Sequence, residues 1–157
     1  MNKFIADKSL SKLVKKLRML GIDCAYKGDY TIEQLFTISA DENRILITDK
    51  PLPETKRVHV IRLSKNDINE MLLELGDFIP YDELVNPFSR CLKCNSLLVK
   101  VNKNDDNDFK SAVQAIPERI RSSDLQLMGC ENCRKVFWQG SHFQRMKSEL
   151  MKLGLIK

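Results

Sequence analysis

Two Cys-x-x-Cys pairs constrain this chain more than any other feature. Cys91-Leu92-Lys93-Cys94 is followed, after thirty-five residues, by Cys130-Glu131-Asn132-Cys133. Each pair forms a tight turn that aims two sulfurs at one point, and zinc accepts four such ligands tetrahedrally. Cationic residues beside the turns, Arg134 and Lys135, favour the deprotonated sulfur. The gap between the pairs exceeds the roughly 15–20 residues of the simplest spacing, so an insertion is expected. The polar run Asn102–Asp108 reads as a mobile loop within it. The alternative use of four cysteines is two disulfides. Met1 leads directly into Lys3-Phe4-Ile5-Ala6-Asp7 without a signal-peptide hydrophobic run, so a cytoplasmic, reducing location and a structural zinc bound by Cys91, Cys94, Cys130 and Cys133 are expected. The fifth cysteine, Cys24, reads as a small buried apolar residue.

The 157 residues suffice for one ordinary domain, or for a small domain plus a metal-stapled one. No apolar run approaches the roughly 18 residues of a membrane span. The net charge of +5 is unevenly placed: residues 1–20 and residues 134–157 each carry six Lys/Arg against one acid, which leaves the middle of the chain acidic. Basic ends of this kind point to a polyanionic partner, or to solvated helix faces.

Along the chain, Lys3–Ala6 reads as a buried strand. An amphipathic helix follows, with Leu10, Leu13, Val14, Leu17 and Leu20 on one stripe and Gly21 as its stop. Ile22–Tyr26 is a second strand. Thr31 and Gln34 form a capping box that opens a helix burying Ile32, Leu35 and Phe36. Arg44–Thr48 and Val58–Leu63 are further strands, separated by a loop with Pro51 and Pro53. Asp67 caps a helix through Met71, Leu72 and Leu75. This βαβαβ–loop–βα order, with apolar runs in the strands, predicts a mostly parallel sheet covered on both faces. Residues 77–88 connect to a second unit. There, strands lead out of the first cysteine turn and into and out of the second. Pro117–Ser122 forms one helical turn, and a last helix opens on a capping box of Ser141 and Gln144. The expected division is 1–86 for the α/β domain and 87–157 for a zinc ribbon with its terminal helix.

In a parallel sheet everything just past the strands' carboxyl ends lies on one edge. Asp7, Asp29 with Glu33, Asp49 and Asp67 follow the four strands in turn. Carboxylates gathered on one edge hold magnesium or manganese, which can activate water and neutralise phosphate charge. Each acid also has a plainer use: Asp7 and Asp67 as helix caps, Asp29 in a turn.

Three segments carry a family resemblance. Residues 7–23 read DKSLSKLVKKLRMLGID, residues 86–94 read NPFSRCLKC, and residues 133–146 read CRKVFWQGSHFQRM. Together they resemble the RNase family named for the C-terminal domain of the Mut-seven protein. The resemblance spans nearly the whole chain. It implies a PIN-like three-layer α/β/α domain joined to a four-cysteine zinc ribbon, a divalent metal held by acids, and an RNA substrate. Asp7 matches the family's first acid. Ser11 stands where glycine is usual and Lys16 where tryptophan is common. The third strand of the family ends in Thr-x-Asp. Here it ends Thr48-Asp49-Lys50, so a lysine occupies the acid position, and only Glu33 or Asp29 stands in for the acid that usually opens the second helix.

The reading is therefore a metal-dependent ribonuclease with Asp7 and Asp49 as ligands and Asp29 or Glu33 completing the shell. Lys8, Lys12, Lys15, Lys16 and Arg145 would contact phosphates. The alternatives are a catalytically weakened or inactive RNA-binding module, and a zinc-ribbon module for an acidic protein partner. His142 reads as a phosphate contact, as an acid, or as a packing residue. Phe137 and Trp138 read as base-stacking groups or as core.

Overall fold

A computed structural model describes residues 2–104 and 107–157. Asp105 and Asp106, inside the expected polar loop, lie outside the described residues. The chain divides into two compact units, one reaching Asn95 and one covering Ser96–Leu155. This boundary and the expected one at 86/87 differ by the first cysteine turn.

The first unit holds β1 (Lys3–Ala6), α1 (Ser11–Met19), β2 (Cys24–Ala25), α2 (Ile32–Asp41), β3 (Arg44–Thr48), β4 (Val60–Arg62), α3 (Ile68–Gly76) and the short α4 (Tyr81–Leu84). The four strands pair in parallel in the order β2-β1-β3-β4. Phe4, Ile5, Ala6, Leu46 and Ile47 are all fully buried, so the central strands are covered on both faces, as their unbroken apolar runs require. Ile5 and Leu46 pack with Leu35 of α2 on one face. α1 and α3 touch each other and bury Leu13, Leu17, Leu72 and Leu75. Each such side chain contributes roughly 1.5–3 kcal/mol relative to exposure.

Local signals explain most boundaries. Thr31 and Gln34 form the reciprocal capping box. Asp67 Oδ1 accepts from the N–H groups of Asn69 and Glu70, so this acid is spent on a helix cap. Gly21 ends α1 at φ +81°, and a Cβ there would stand 1.9 Å from the Asn86 carbonyl oxygen, so only glycine fits. Two expectations are corrected. Ile32 is half exposed, because it is the first residue of α2 and faces out. Ser141 is not a cap: Gly140 takes the N-cap position of the last helix and no side chain bonds the first turn.

The second unit holds β5 (Val99–Val101), α5 (Lys110–Ala115), α6 (Glu118–Arg121), β6 (Leu127–Cys130), β7 (Lys135–Trp138) and α7 (Ser141–Lys152). β5-β6-β7 form an antiparallel sheet. The insertion between the cysteine pairs supplies the core of this unit: Phe109, Val113 and Ile116 are buried with Val101 and Leu127, and Trp138 packs against them. Trp138 thus sides with the core rather than with a stacking surface. Phe109 lies on Gly129, where a Cβ would come within 2.5 Å of its ring. The absent side chain makes room for the aromatic one, one residue before Cys130.

Candidate functional site

Strand order makes the carboxyl edge special. From β1 the chain steps outward to β2, and after α2 it returns to the other side of β1 as β3 and proceeds to β4. The direction of winding reverses between β1 and β3, and a crevice forms beyond the strands at such a switch point. Asp7 stands just past β1, with its N–H donating to the Ile47 carbonyl at 3.1 Å. It is 7% exposed. Its side chain makes no cap bond to the 3-10 turn Lys8–Leu10 that follows. Instead its Oδ2 accepts from Thr48 Oγ1, the last residue of β3, at 3.2 Å. Asp49 comes next on that strand and is half-buried. Its Oδ1 accepts from Ser9 Oγ at 2.7 Å, which draws it to the segment that carries Asp7. Tyr26 donates to the Lys8 carbonyl at 2.9 Å and steadies the same turn.

Asp29 and Glu33 are both exposed, and Asp29 faces Lys27 at 3.7 Å. Among the described residues, the cysteines form the one group of three or more metal-ligating side chains, and the acids do not form another. The carboxyl edge therefore presents a pair of acids, Asp7 and Asp49, bonded to neighbouring hydroxyls. Lys50 is exposed and directs its backbone N–H to Thr48 Oγ1 at 3.1 Å.

The sulfurs of Cys91, Cys94, Cys130 and Cys133 lie within 4.8 Å of one another, with Cys91 and Cys130 buried. None of the five cysteines is in a disulfide. Tetrahedral zinc–thiolate bonds of about 2.3 Å place sulfurs roughly 3.8 Å apart, so the group fits this ion. The two turns share one geometry. Asn95 N–H donates to the Cys91 carbonyl at 2.9 Å, and Arg134 N–H to the Cys130 carbonyl at 2.7 Å. Asn95 and Arg134 both take positive φ, +72° and +55°.

A buried polar network surrounds the first turn, and sequence reasoning missed it. Arg18, 3% exposed on α1, donates to the carbonyls of Leu92 and Lys93 at 3.0 and 2.8 Å. It also donates twice to the Cys24 carbonyl. Burial lowers its pKa from the ordinary value, opposed by the Cys24, Cys94 and Cys91 thiols, yet a guanidinium stays charged near neutrality. Beside it, Asn95 donates to Asp23 at 2.8 Å and accepts from the Cys24 N–H at 3.1 Å. Asp23 also pairs with Arg44 at 2.7 Å and Arg90 at 3.5 Å. Burial works against the Asp23 charge, but the bonds from Arg44 and Asn95 outweigh it and hold the pKa below the ordinary value. Burial pushes the Cys24 thiol up to about 12, which leaves it a neutral packing group.

A family model described as the Mut7-C RNAse domain matches residues 2–150. The chain belongs to the Mut7-C RNase domain family. No curated protein and no solved structure matches it. In this Mut7-C chain, Lys8 in the 3-10 turn and Lys12 and Lys15 on α1 are exposed and Lys16 on α1 is half-buried, while Arg145 and His142 are exposed on α7. No helix among the described residues is long and apolar enough to cross a membrane.

Three outcomes test this geometry. Elemental analysis should find about one zinc per chain, and Cys91→Ser should remove it and destabilise the ribbon. Arg18→Lys, which cannot span three carbonyls, should weaken zinc roughly tenfold against a chromophoric chelator. Unchanged affinity would show that the guanidinium has no hold on the turn. For Asp23 the folded pKa is depressed, so its stabilisation is full above the unfolded value near 4 and is lost as pH falls through the folded one. Asp23→Asn should unfold with a free energy about 3 kcal/mol below that of wild type at pH 7. That gap should close below about pH 4. A gap constant with pH would contradict the assignment.

Proposed function

We propose that this chain is a metal-dependent ribonuclease, with a PIN-like first domain over residues 1–86 and a zinc ribbon over 87–157. One observation carries the reading: at the carboxyl edge of the sheet Asp7 accepts from Thr48 and Asp49 accepts from Ser9, so each carboxylate is bonded to a hydroxyl of the other's segment. Family membership supports RNA as the substrate.

Asp7 and Asp49 are the residues that would hold a magnesium or manganese ion. Among the described residues, Asp7 Oδ1 accepts no hydrogen bond, and one oxygen is therefore open to a cation while the other is fixed by Thr48. Bound there, the ion would supply an activated water and neutralise charge on the attacked phosphate. Thr48 and Ser9 orient the two carboxylates, so little reorganisation accompanies binding. Asp29 or Glu33 would complete the shell on substrate binding. Lys8, Lys12, Lys15, Lys16 and Arg145 would steer and hold the phosphate backbone. The cysteine site contributes folding energy, because four thiolates leave no position for water.

A second reading is an RNA-binding module with weakened catalysis. Lys50 in the family's acid position and the exposed, dispersed Asp29 and Glu33 favour it. Cleavage of a labelled RNA with magnesium or manganese separates the two. Asp7→Asn should melt as wild type does and lose roughly three orders of magnitude or more in rate. RNA bound but never cut, with either ion, would establish the binding module instead.

A further inference from the structure

The connection from β3 to β4 lines an open cleft of about 660 Å³ that the acid pair does not explain. This is the volume of a small-molecule site. Leu52, Val58 and Val60 form its floor. The same three side chains pack against the core of Ile5, Leu35 and Leu46, so the floor is anchored rather than a loose loop surface. Lys50, Lys56 and Arg62 stand on the rim against a single acid, Glu54. All three cations are exposed, and none forms an ion pair among the described residues. An apolar floor under unpaired cations fits a ligand with a flat, weakly polar body and negative charge at its margin. A nucleotide within a nucleic-acid strand has that chemistry.

Position adds a second argument. The pocket begins at Lys50, the residue after Asp49, whose carboxylate Ser9 holds at the switch point. We propose that this pocket is a nucleotide subsite of the RNA strand: it seats the base next to the phosphate presented to Asp7 and Asp49, while Lys50, Lys56 and Arg62 hold the flanking phosphates. Lys50 then contacts substrate rather than replacing a lost metal ligand. The inference rests on the RNA reading above and is tested so that the two can fail separately.

The experiment is fluorescence anisotropy of zinc-loaded protein with a labelled adenosine decamer, in buffer free of magnesium and manganese, over a range of salt. Wild type should bind. The combined variant Lys50→Gln, Lys56→Gln and Arg62→Gln should melt as wild type does and bind roughly tenfold more weakly or worse, with a salt slope shallower by about 2, the value for three single-strand phosphate contacts. A control that removes the same charge, Lys65→Gln with Lys100→Gln and Lys110→Gln, should cost far less. Thr55→Trp, which fills the pocket and keeps the rim cations, should weaken the decamer but leave competition by inorganic polyphosphate unchanged. Wild type that binds no RNA would overturn the RNA reading and this inference with it. RNA binding in which the rim variant matches the control would overturn the subsite alone. Equal loss of decamer and polyphosphate with Thr55→Trp would reduce the pocket to a charged patch and overturn the base seat.

Discussion

The first cysteine turn hangs on Arg18. A turn that presents two thiolates exposes its own carbonyls, and buried carbonyls need donors. One guanidinium supplies them for Leu92 and Lys93 while also holding the Cys24 carbonyl. Its planar fork suits several acceptors at once, which an ammonium cannot match. Its charge sits where thiolate charge would gather, so the residue that shapes the turn also offsets its electrostatics. Asp23, Arg44, Arg90 and Asn95 extend this arrangement. Breaking one member would leave a buried charge without its partner, and such losses exceed those of surface pairs.

The carboxyl edge follows from topology. Parallel pairing in the order β2-β1-β3-β4 puts the ends of β1 and β3 side by side. The residues after them, Asp7 and Asp49, come to the same edge although forty-two positions separate them. Thr48 and Ser9 convert that closeness into fixed orientation. Asp67 meets a different fate at the same edge, because the helix that follows β4 uses its carboxylate as a cap.

Much of this was legible before any coordinates. Apolar runs at Phe4–Ala6 and Leu46–Ile47 marked two-sided burial. The stripe ending at Gly21 marked α1, and the Thr31–Gln34 pair marked the start of α2. The cysteine spacing marked the four-thiol group that fits a metal ion. What escaped was tertiary. Arg18 lies next to Leu17 and reads as one more charge on a basic helix, since its acceptors in the cysteine turn are more than seventy residues away. α5 was hidden because Val113 and Ile116 bury against strands whose packing no local pattern announces. Ser141 followed by Gln144 has a capping-box spacing, yet the backbone turns one residue earlier, at Gly140. The pocket beside Lys50 was invisible because its floor joins a loop to an edge strand.

A divalent-metal centre formed by Asp7 and Asp49 at the switch point is what the nuclease reading requires above all. Titration of manganese into zinc-loaded protein, followed by electron paramagnetic resonance, reads that centre without RNA and without turnover. Wild type should bind about one manganese ion at millimolar concentration or below, through oxygen ligands. Asp7→Asn should weaken it roughly tenfold or more, as loss of a charged ligand requires. Identical binding by wild type and Asp7→Asn, or no binding by either, would contradict the assignment.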